Sequence, residues 1–209
     1  MYLDLHLVTI GESVVNVNIK TITGNWDLGY AMDKHLIRST YLGDNEYGKP
    51  MFNNERTEVG EAVYQLKYKN NMSQVDALAQ CLLDSAIPLF DNINLIIPMA
   101  ASNVRAVQPV TAITEALATK MGNNMHSFNK LLIKAPGGVS LKDLNTKAEK
   151  DAAVAGAFSY QDEIGEGGPY NALIVDDLFH TGASMEAAVE VLRGYNKINK
   201  IYVAALTWR

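Results

Sequence analysis

Asp176 and Asp177 stand side by side at the end of an apolar run, Ala172-Leu-Ile-Val175, and Thr181-Gly-Ala-Ser184 follows shortly after. Adjacent carboxylates can accept hydrogen bonds from a sugar diol, or hold a hydrated Mg²⁺ directly or through water. Small and hydroxyl-bearing residues opening a helix leave backbone N–H groups accessible to an anion, which suits a phosphate monoester. Thr181, Gly182, Ala183 and Ser184 are therefore the candidate phosphate loop. Asp176 and Asp177 are expected to face the same crevice, and the combination suggests a site for a phosphorylated ribose. The plain structural reading of the same residues is a strand-to-helix turn with an acidic N-cap.

Such a site needs a strand that ends at the acids and a helix that starts at the loop. The run at 172–175 predicts a buried strand, and a helix is expected over about 183–193, stopped by Gly194. A last strand is expected over Ile201–Leu206. Upstream, Ser73-Gln-Val-Asp76 has capping-box spacing before a helix carrying Val75, Leu78, Ala79, Leu82 and Leu83. Ile93 to Ile97 reads as a strand and Leu131 to Ile133 as a second. Between them lies a helix with the stripe Val110, Ile113, Leu117 and Met121, ended by Gly122. Helices alternating with strands imply a parallel sheet whose sites lie beyond the strand carboxyl ends.

Residues 1 to about 70 have another texture. Alternation at Leu3, Leu5, Leu7 and at Val15, Val17, Ile19, with turns at Thr23-Gly-Asn25 and Gly43 to Gly48, predicts antiparallel hairpins. The expected organisation is a β-rich amino-terminal appendage over 1–70 and an α/β unit over 71–209.

With 48% hydrophobic and 20% charged residues among 209, the composition is that of an ordinary globular chain. A net charge of −5 argues against direct nucleic-acid binding, which needs a cationic surface. The single cysteine, Cys81, excludes an intramolecular disulfide and a multi-cysteine zinc site, and its setting suggests a small buried hydrophobe. No run approaches a membrane span, and the start lacks the features of a signal peptide, so the expected setting is cytoplasmic.

The segment from Ala172 to Ser184 resembles the phosphoribosyl pyrophosphate (PRPP) signature of the type I phosphoribosyltransferases, in residue type and order. The similarity extends further, to the ComF-like members of that family. It is carried by Trp26 to His35, Arg56-Thr-Glu-Val-Gly-Glu61, Leu66-Lys-Tyr68, Ile97-Pro98, Arg105 through Gln108-Pro109, Gly156-Ala-Phe158 and Leu206-Thr207. The zinc-binding cysteine pairs common in ComF proteins are missing. The resemblance implies a type I phosphoribosyltransferase-like parallel sheet flanked by helices, under an N-terminal β-rich hood.

By position it also assigns roles. Asp176 and Asp177 would hold the ribose hydroxyls, and the 181–184 loop its 5′-phosphate. Ala100, Ala101, Ser102 and Asn103, with Arg105, would meet the pyrophosphate. Lys142, Lys147 and Lys150 fall where the family places a mobile lid, although a solvated helix face explains them equally well. His180 sits where some members carry a catalytic acid or base, while an exposed loop histidine is the commoner arrangement. His6, His35 and His126 show no metal spacing. Trp26, Tyr30, Tyr41 and Tyr47 could line an acceptor pocket, although buried structural aromatics are commoner, and Lys67 and Lys69 could form a small basic strip, as any exposed strand edge could.

The implied activity is Mg²⁺-dependent transfer of phosphoribose from PRPP to a small, nitrogenous acceptor, with release of pyrophosphate. The competing reading is a non-catalytic PRPP-binding or scaffold protein, acting through protein or nucleic-acid assemblies in DNA processing or defence. A protein partner or a homo-oligomer is compatible with either. A nicotinamide-dependent oxidoreductase is disfavoured, since no strand leads into GxGxxG.

Overall fold

The computed structural model describes residues 6–10, 13–101, 105–122, 124–135, 146, 149 and 156–209, with the backbone alone for 6–16. Its strands are β1 (His6–Ile10), β2 (Ser13–Val17), β3 (Lys20–Thr21), β4 (Leu28–Lys34), β5 (Arg38–Asp44), β6 (Pro50–Glu55), β7 (Leu95–Pro98), β8 (Leu132–Lys134), β9 (Phe158–Tyr160), β10 (Tyr170–Phe179) and β11 (Ile198–Trp208). Its helices are α1 (Glu58–Lys69), α2 (Gln74–Ser85), α3 (Pro109–Met121) and α4 (Ala183–Arg193).

The central sheet runs β3-β4-β11-β10-β7, parallel throughout except for β3. Alternation along β10 sends Leu173 and Val175 to one face and Ala172 and Ile174 to the other, and all four are buried. On the first face they meet Val63 and Leu66 of α1, Leu78 and Leu82 of α2, and Ile113 and Leu117 of α3. On the second they meet Met185, Val189 and Leu192 of α4, with Leu132 of β8 and Phe158 of β9. The molecule is thus a sheet between two apolar layers, as the alternation of elements implied. Each fully buried Leu or Ile contributes roughly 1.5–3 kcal/mol to holding it.

The amino-terminal region is less uniformly β than its texture implied. The hairpins β1–β2 and β5–β6 are present, but β4 pairs in parallel with β11 inside the central sheet. Residues 58–69 form a helix rather than a hairpin. Their apolar positions Val59, Ala62, Val63 and Leu66 recur at helical spacing. Thr57 caps the helix by accepting the Gly60 N–H at 3.0 Å, and donates to the Lys34 carbonyl at 2.5 Å. A Cβ at Gly60 would lie 2.3 Å from the His35 carbonyl oxygen, so glycine lets α1 seat directly on the end of β4.

Three other expectations need correction. The Ser73 capping box does not form: Ser73 is helical in φ and ψ and its hydroxyl donates to Asn71, while Asp76 pairs with Lys120 at 2.8 Å. The strand expected near Leu131 lies outside the parallel sheet, since β8 pairs antiparallel with β9. The signature strand is longer than the apolar run, because β11 continues to pair with it as far as Phe179 opposite Trp208. Asp176 and Asp177 therefore lie within a strand.

Candidate functional site

What opens the crevice is a mismatch of strand lengths. The last β7 residue paired with β10 is Pro98, opposite Val175, while β10 continues to Phe179. Proline offers no N–H to extend a ladder. Met99 N–H makes one more bond, to the Val175 carbonyl at 2.8 Å, and the chains then part. The cavity beyond holds about 910 Å³ and lies at the carboxyl ends of β7, β10 and β11, where parallel sheets place their sites.

Both acids line this crevice, but alternation sends them to opposite sides of β10. Asp177 continues the Leu173–Val175 face, toward α1. Its Oδ2 is 2.5 Å from Lys67 Nζ, with only 11% of the side-chain surface exposed. Burial works to lower the Lys67 pKa, but the charge and hydrogen bond of Asp177, helped by Asp176, outweigh it and hold the ammonium above its ordinary range. The Asp177 carbonyl accepts the buried Thr207 hydroxyl at 2.8 Å, and Thr207 in turn meets His35 Nδ1 at 3.2 Å.

Asp176 continues the Ala172–Ile174 face, toward β8 and β9. Part of its surface meets the crevice, yet burial, with the charge of Asp177 added, pushes its carboxyl up to about 7. The Asp177 N–H, at 2.8 Å from Asp176 Oδ1, and the charges of Lys67 and Lys134 oppose that rise. Lys134 of β8 is lowered by burial, with Asp176 working against that shift. Each carboxylate therefore has a lysine on its own face of the sheet.

Downstream, Thr181, Gly182, Ala183 and Ser184 all border the crevice and α4 begins at Ala183, as the sequence implied. Gly182 occupies the N-cap with φ of 84°, and a Cβ there would sit 3.3 Å from the Phe179 ring. It brings no side chain to cap the first-turn N–H groups of α4. His180 is exposed on the rim.

On the other side, Ala100, Ala101 and Arg105 border the crevice, and Arg105 Nη1 donates to the Lys67 carbonyl at 2.5 Å. Ser102 and Asn103, and all three lid lysines, Lys142, Lys147 and Lys150, lie outside the described residues. Among the described residues, no cluster of three or more His, Cys, Asp or Glu gathers to make a metal cage. Cys81 is buried away from the crevice in the first apolar cluster, and burial pushes its thiol up to about 12. No described helix is long and apolar enough to cross a membrane.

Several crevice residues escaped the sequence reading because they come from distant elements. Lys67 and Lys134 are two; His35, Arg56 and Arg209 are others. Of the aromatics, Trp26 and Tyr30 pack into the interior and Tyr41 and Tyr47 lie out on the β5–β6 hairpin, whereas Tyr64 and Tyr68 of α1 border the crevice. The helical spacing of the α1 apolar residues would have put Lys67 and Tyr68 beside its buried stripe. The lining carries five Lys and Arg side chains against two carboxylates, in a chain whose net charge is −5.

No family model matches the chain and no curated protein matches its sequence. Among solved structures it is similar to an adenine phosphoribosyltransferase, at 16% identity over 80% of this chain and 85% of that one, with a TM-score of 0.39. A hypoxanthine phosphoribosyltransferase from Staphylococcus aureus matches at 11% identity over 66% and 65%, with a TM-score of 0.40. The adenine phosphoribosyltransferase of Saccharomyces cerevisiae, complexed with an imino-altritol bisphosphate and adenine, matches at 17% over 80% and 83%, with a TM-score of 0.39. The chemistry is read from this chain's own crevice.

Proposed function

We propose that the protein is a phosphoribosyltransferase that binds PRPP with Mg²⁺ and passes the phosphoribosyl group to a small nitrogenous acceptor. The observation that carries this reading is the crevice beyond β10, where two carboxylates, an uncapped helix start and a surplus of cations converge. A sugar bearing one phosphate and one pyrophosphate needs hydrogen-bond acceptors at its centre and positive potential at both ends. In this site Asp176 and Asp177 hold the ribose hydroxyls, and the turn from Thr181 to Ser184 takes the 5′-phosphate on its backbone N–H groups. Ala100, Ala101 and Arg105, with Ser102 and Asn103, receive the pyrophosphate. Lys142, Lys147 and Lys150 supply the lid.

Holding both ends fixes the anomeric carbon for attack, a positional contribution to rate. The anomeric C–O bond breaks as the acceptor nitrogen forms its bond to that carbon, and the electron pair leaves with pyrophosphate. The loop amides and cationic side chains stabilise that developing charge. His180, on the rim, takes the acceptor's proton. The donor set fits Mg²⁺ only as an ion brought in on substrate oxygens: Asp176 is the carboxylate not engaged by Lys67, and Mg²⁺ accepts one or two carboxylates with phosphates and waters. When bound, the ion would offset negative charge on the leaving pyrophosphate. A cytoplasmic setting accords with such a substrate.

The test is calorimetric titration of the full chain with PRPP and Mg²⁺, wild type beside Asp176→Asn/Asp177→Asn. Saturable binding that the folded double variant loses is expected. Equal affinity in the two would refute the site assignment. Pyrophosphate release with a panel of nitrogen bases then separates a transferase from a PRPP-binding scaffold, which would bind without turnover.

A further inference from the structure

The cations of the crevice come from several elements. Lys134 lies on β8, Lys67 on α1 is held by Asp177, and Arg105, which precedes α3, donates to the Lys67 carbonyl. Two further cations lie toward β4, β11 and α1: Arg209 after β11 and Arg56 leading into α1. His35, after β4, senses both: burial first, then the charges of Arg209 and Arg56, hold its ring below its ordinary pKa, so it adds no third charge. Like charges gathered without an equal number of acids raise the free energy of the empty site and lower it once an anion enters. The nearest carboxylates only partly offset this group. Asp177 is engaged by Lys67, and Glu61 reaches Arg56 at 3.3 Å while also accepting from Gln65 at 2.7 Å.

The walls on this side are flat. The Arg56 guanidinium lies over the Tyr64 ring, 3.7 Å from its centroid, with 17% of the side chain exposed and its buried Nε without a hydrogen-bond partner. The Tyr64 and Tyr68 rings are 5.3 Å apart at 32°, and Tyr68, although 55% exposed, borders the crevice. A stacked arginine has fixed orientation, and its planar fork matches a carboxylate. Tyr68, half-exposed in the crevice lining, offers aromatic surface to a flat ring.

We propose that the acceptor is a planar heterocycle bearing a carboxylate, its ring laid against Tyr68 and its charge met by Arg56 and Arg209. This inference rests on the phosphoribosyltransferase reading and narrows it: neutral bases lack the group that the second cation cluster is built to meet.

The experiment uses the full chain with Mg²⁺ and compares matched probes, nicotinate against nicotinamide and orotate against uracil. PRPP affinity is measured first, by calorimetry. Each probe is then titrated into PRPP-saturated protein, with binding followed by ligand-observed NMR and turnover by pyrophosphate release. The carboxylate member of at least one pair should bind about tenfold more tightly than its neutral partner, the scale of one charge-assisted contact. Arg56→Gln should erase most of that preference and Arg56→Lys only part of it. Should Arg56→Gln fail to fold, Tyr68→Ala, at a half-exposed position, carries the test by weakening the carboxylate probes. Neutral probes binding as well as their partners, or no binding by either carboxylate, would overturn the inference while leaving the PRPP reading intact. Absence of PRPP binding would remove both.

Discussion

Lys67 Nζ lies 2.5 Å from Asp177 Oδ2, joining a helix outside the signature segment to the second acid of that segment. The pair forms because Gly60 lets α1 pack on the end of β4, and because alternation along β10 turns Asp177 toward α1. Arg105 fixes the same turn of helix by donating to the Lys67 carbonyl, so one turn of α1 braces two flanks of the crevice. Asp176, one residue away, faces the other layer and feels the charges of both Lys67 and Lys134 without pairing closely with Lys67.

Breaking the pair should cost both stability and affinity. Lys67→Met leaves Asp177 nearly buried and uncompensated, a loss of about 1–3 kcal/mol. That is below the range for a fully buried pair because 31% of the Lys67 side chain remains in solvent. PRPP affinity should fall by about tenfold as the crevice loses a cation. Chemical denaturation and calorimetry check the two effects. In the wild type, the raised Lys67 pKa means that the pair's contribution is complete below the ordinary lysine value of 10.5. It fades as pH climbs through the higher folded value.

Asp176 sets an opposite dependence. Its folded pKa of about 7 exceeds the ordinary 3.8, so between these values the unfolded chain loses its proton first. Stability from this group is therefore greatest in acid and declines as pH rises toward 7. Asp176→Asn should be more stable than the wild type at pH 8 by about 1–2 kcal/mol, after discounting for partial exposure, and the advantage should disappear near pH 4. Thermal melts across that interval measure it. A wild-type stability curve parallel to that of the variant would show that this carboxyl is ordinary.

Gly60→Ala tests what positions α1. The added methyl meets the His35 backbone carbonyl at 2.3 Å, an atom that cannot swing aside, so the helix must move. A loss of about 2–4 kcal/mol is expected, with weaker PRPP binding as Lys67 is carried away from Asp177. Urea denaturation and calorimetry on the same samples give both numbers.

Gly182→Ala is the milder counterpart at the turn proposed to take the 5′-phosphate. A φ of 84° strains any residue with a Cβ, and the methyl would press on the Phe179 ring at 3.3 Å. The fold should lose about 1–2 kcal/mol. The affinity for PRPP should fall more than that for inorganic pyrophosphate, since the substitution lies at the 5′-phosphate end. Equal losses for the two ligands would argue against this loop as the phosphate site.

The features legible in the sequence were those written in consecutive residues. The strand, acids, loop and helix from Ala172 to Arg193 could be read in order, because hydrophobic run, turn chemistry and helical stripe agree there. The stripe at Ile113 and Leu117 and the burial of Cys81 were equally local. What escaped depends on contacts between distant elements. Nothing near residue 30 announces that β4 pairs with β11, and Lys67 gains its role only from Asp177, on another element. The extent of β10 was also hidden: two aspartates look like a strand's end, but backbone pairing with β11 carries the ladder past them. Val59, Ala62, Val63 and Leu66 recur at helical spacing, but they lie in a stretch whose alternation and turn signals point to hairpins.

The alternation that separates Asp176 from Asp177 has a mechanical consequence. One carboxylate is rooted in the layer of α1, α2 and α3, the other in the layer of α4, β8 and β9. A sugar whose neighbouring hydroxyls engage both would act as a rivet through the sheet, coupling the motions of the two cores.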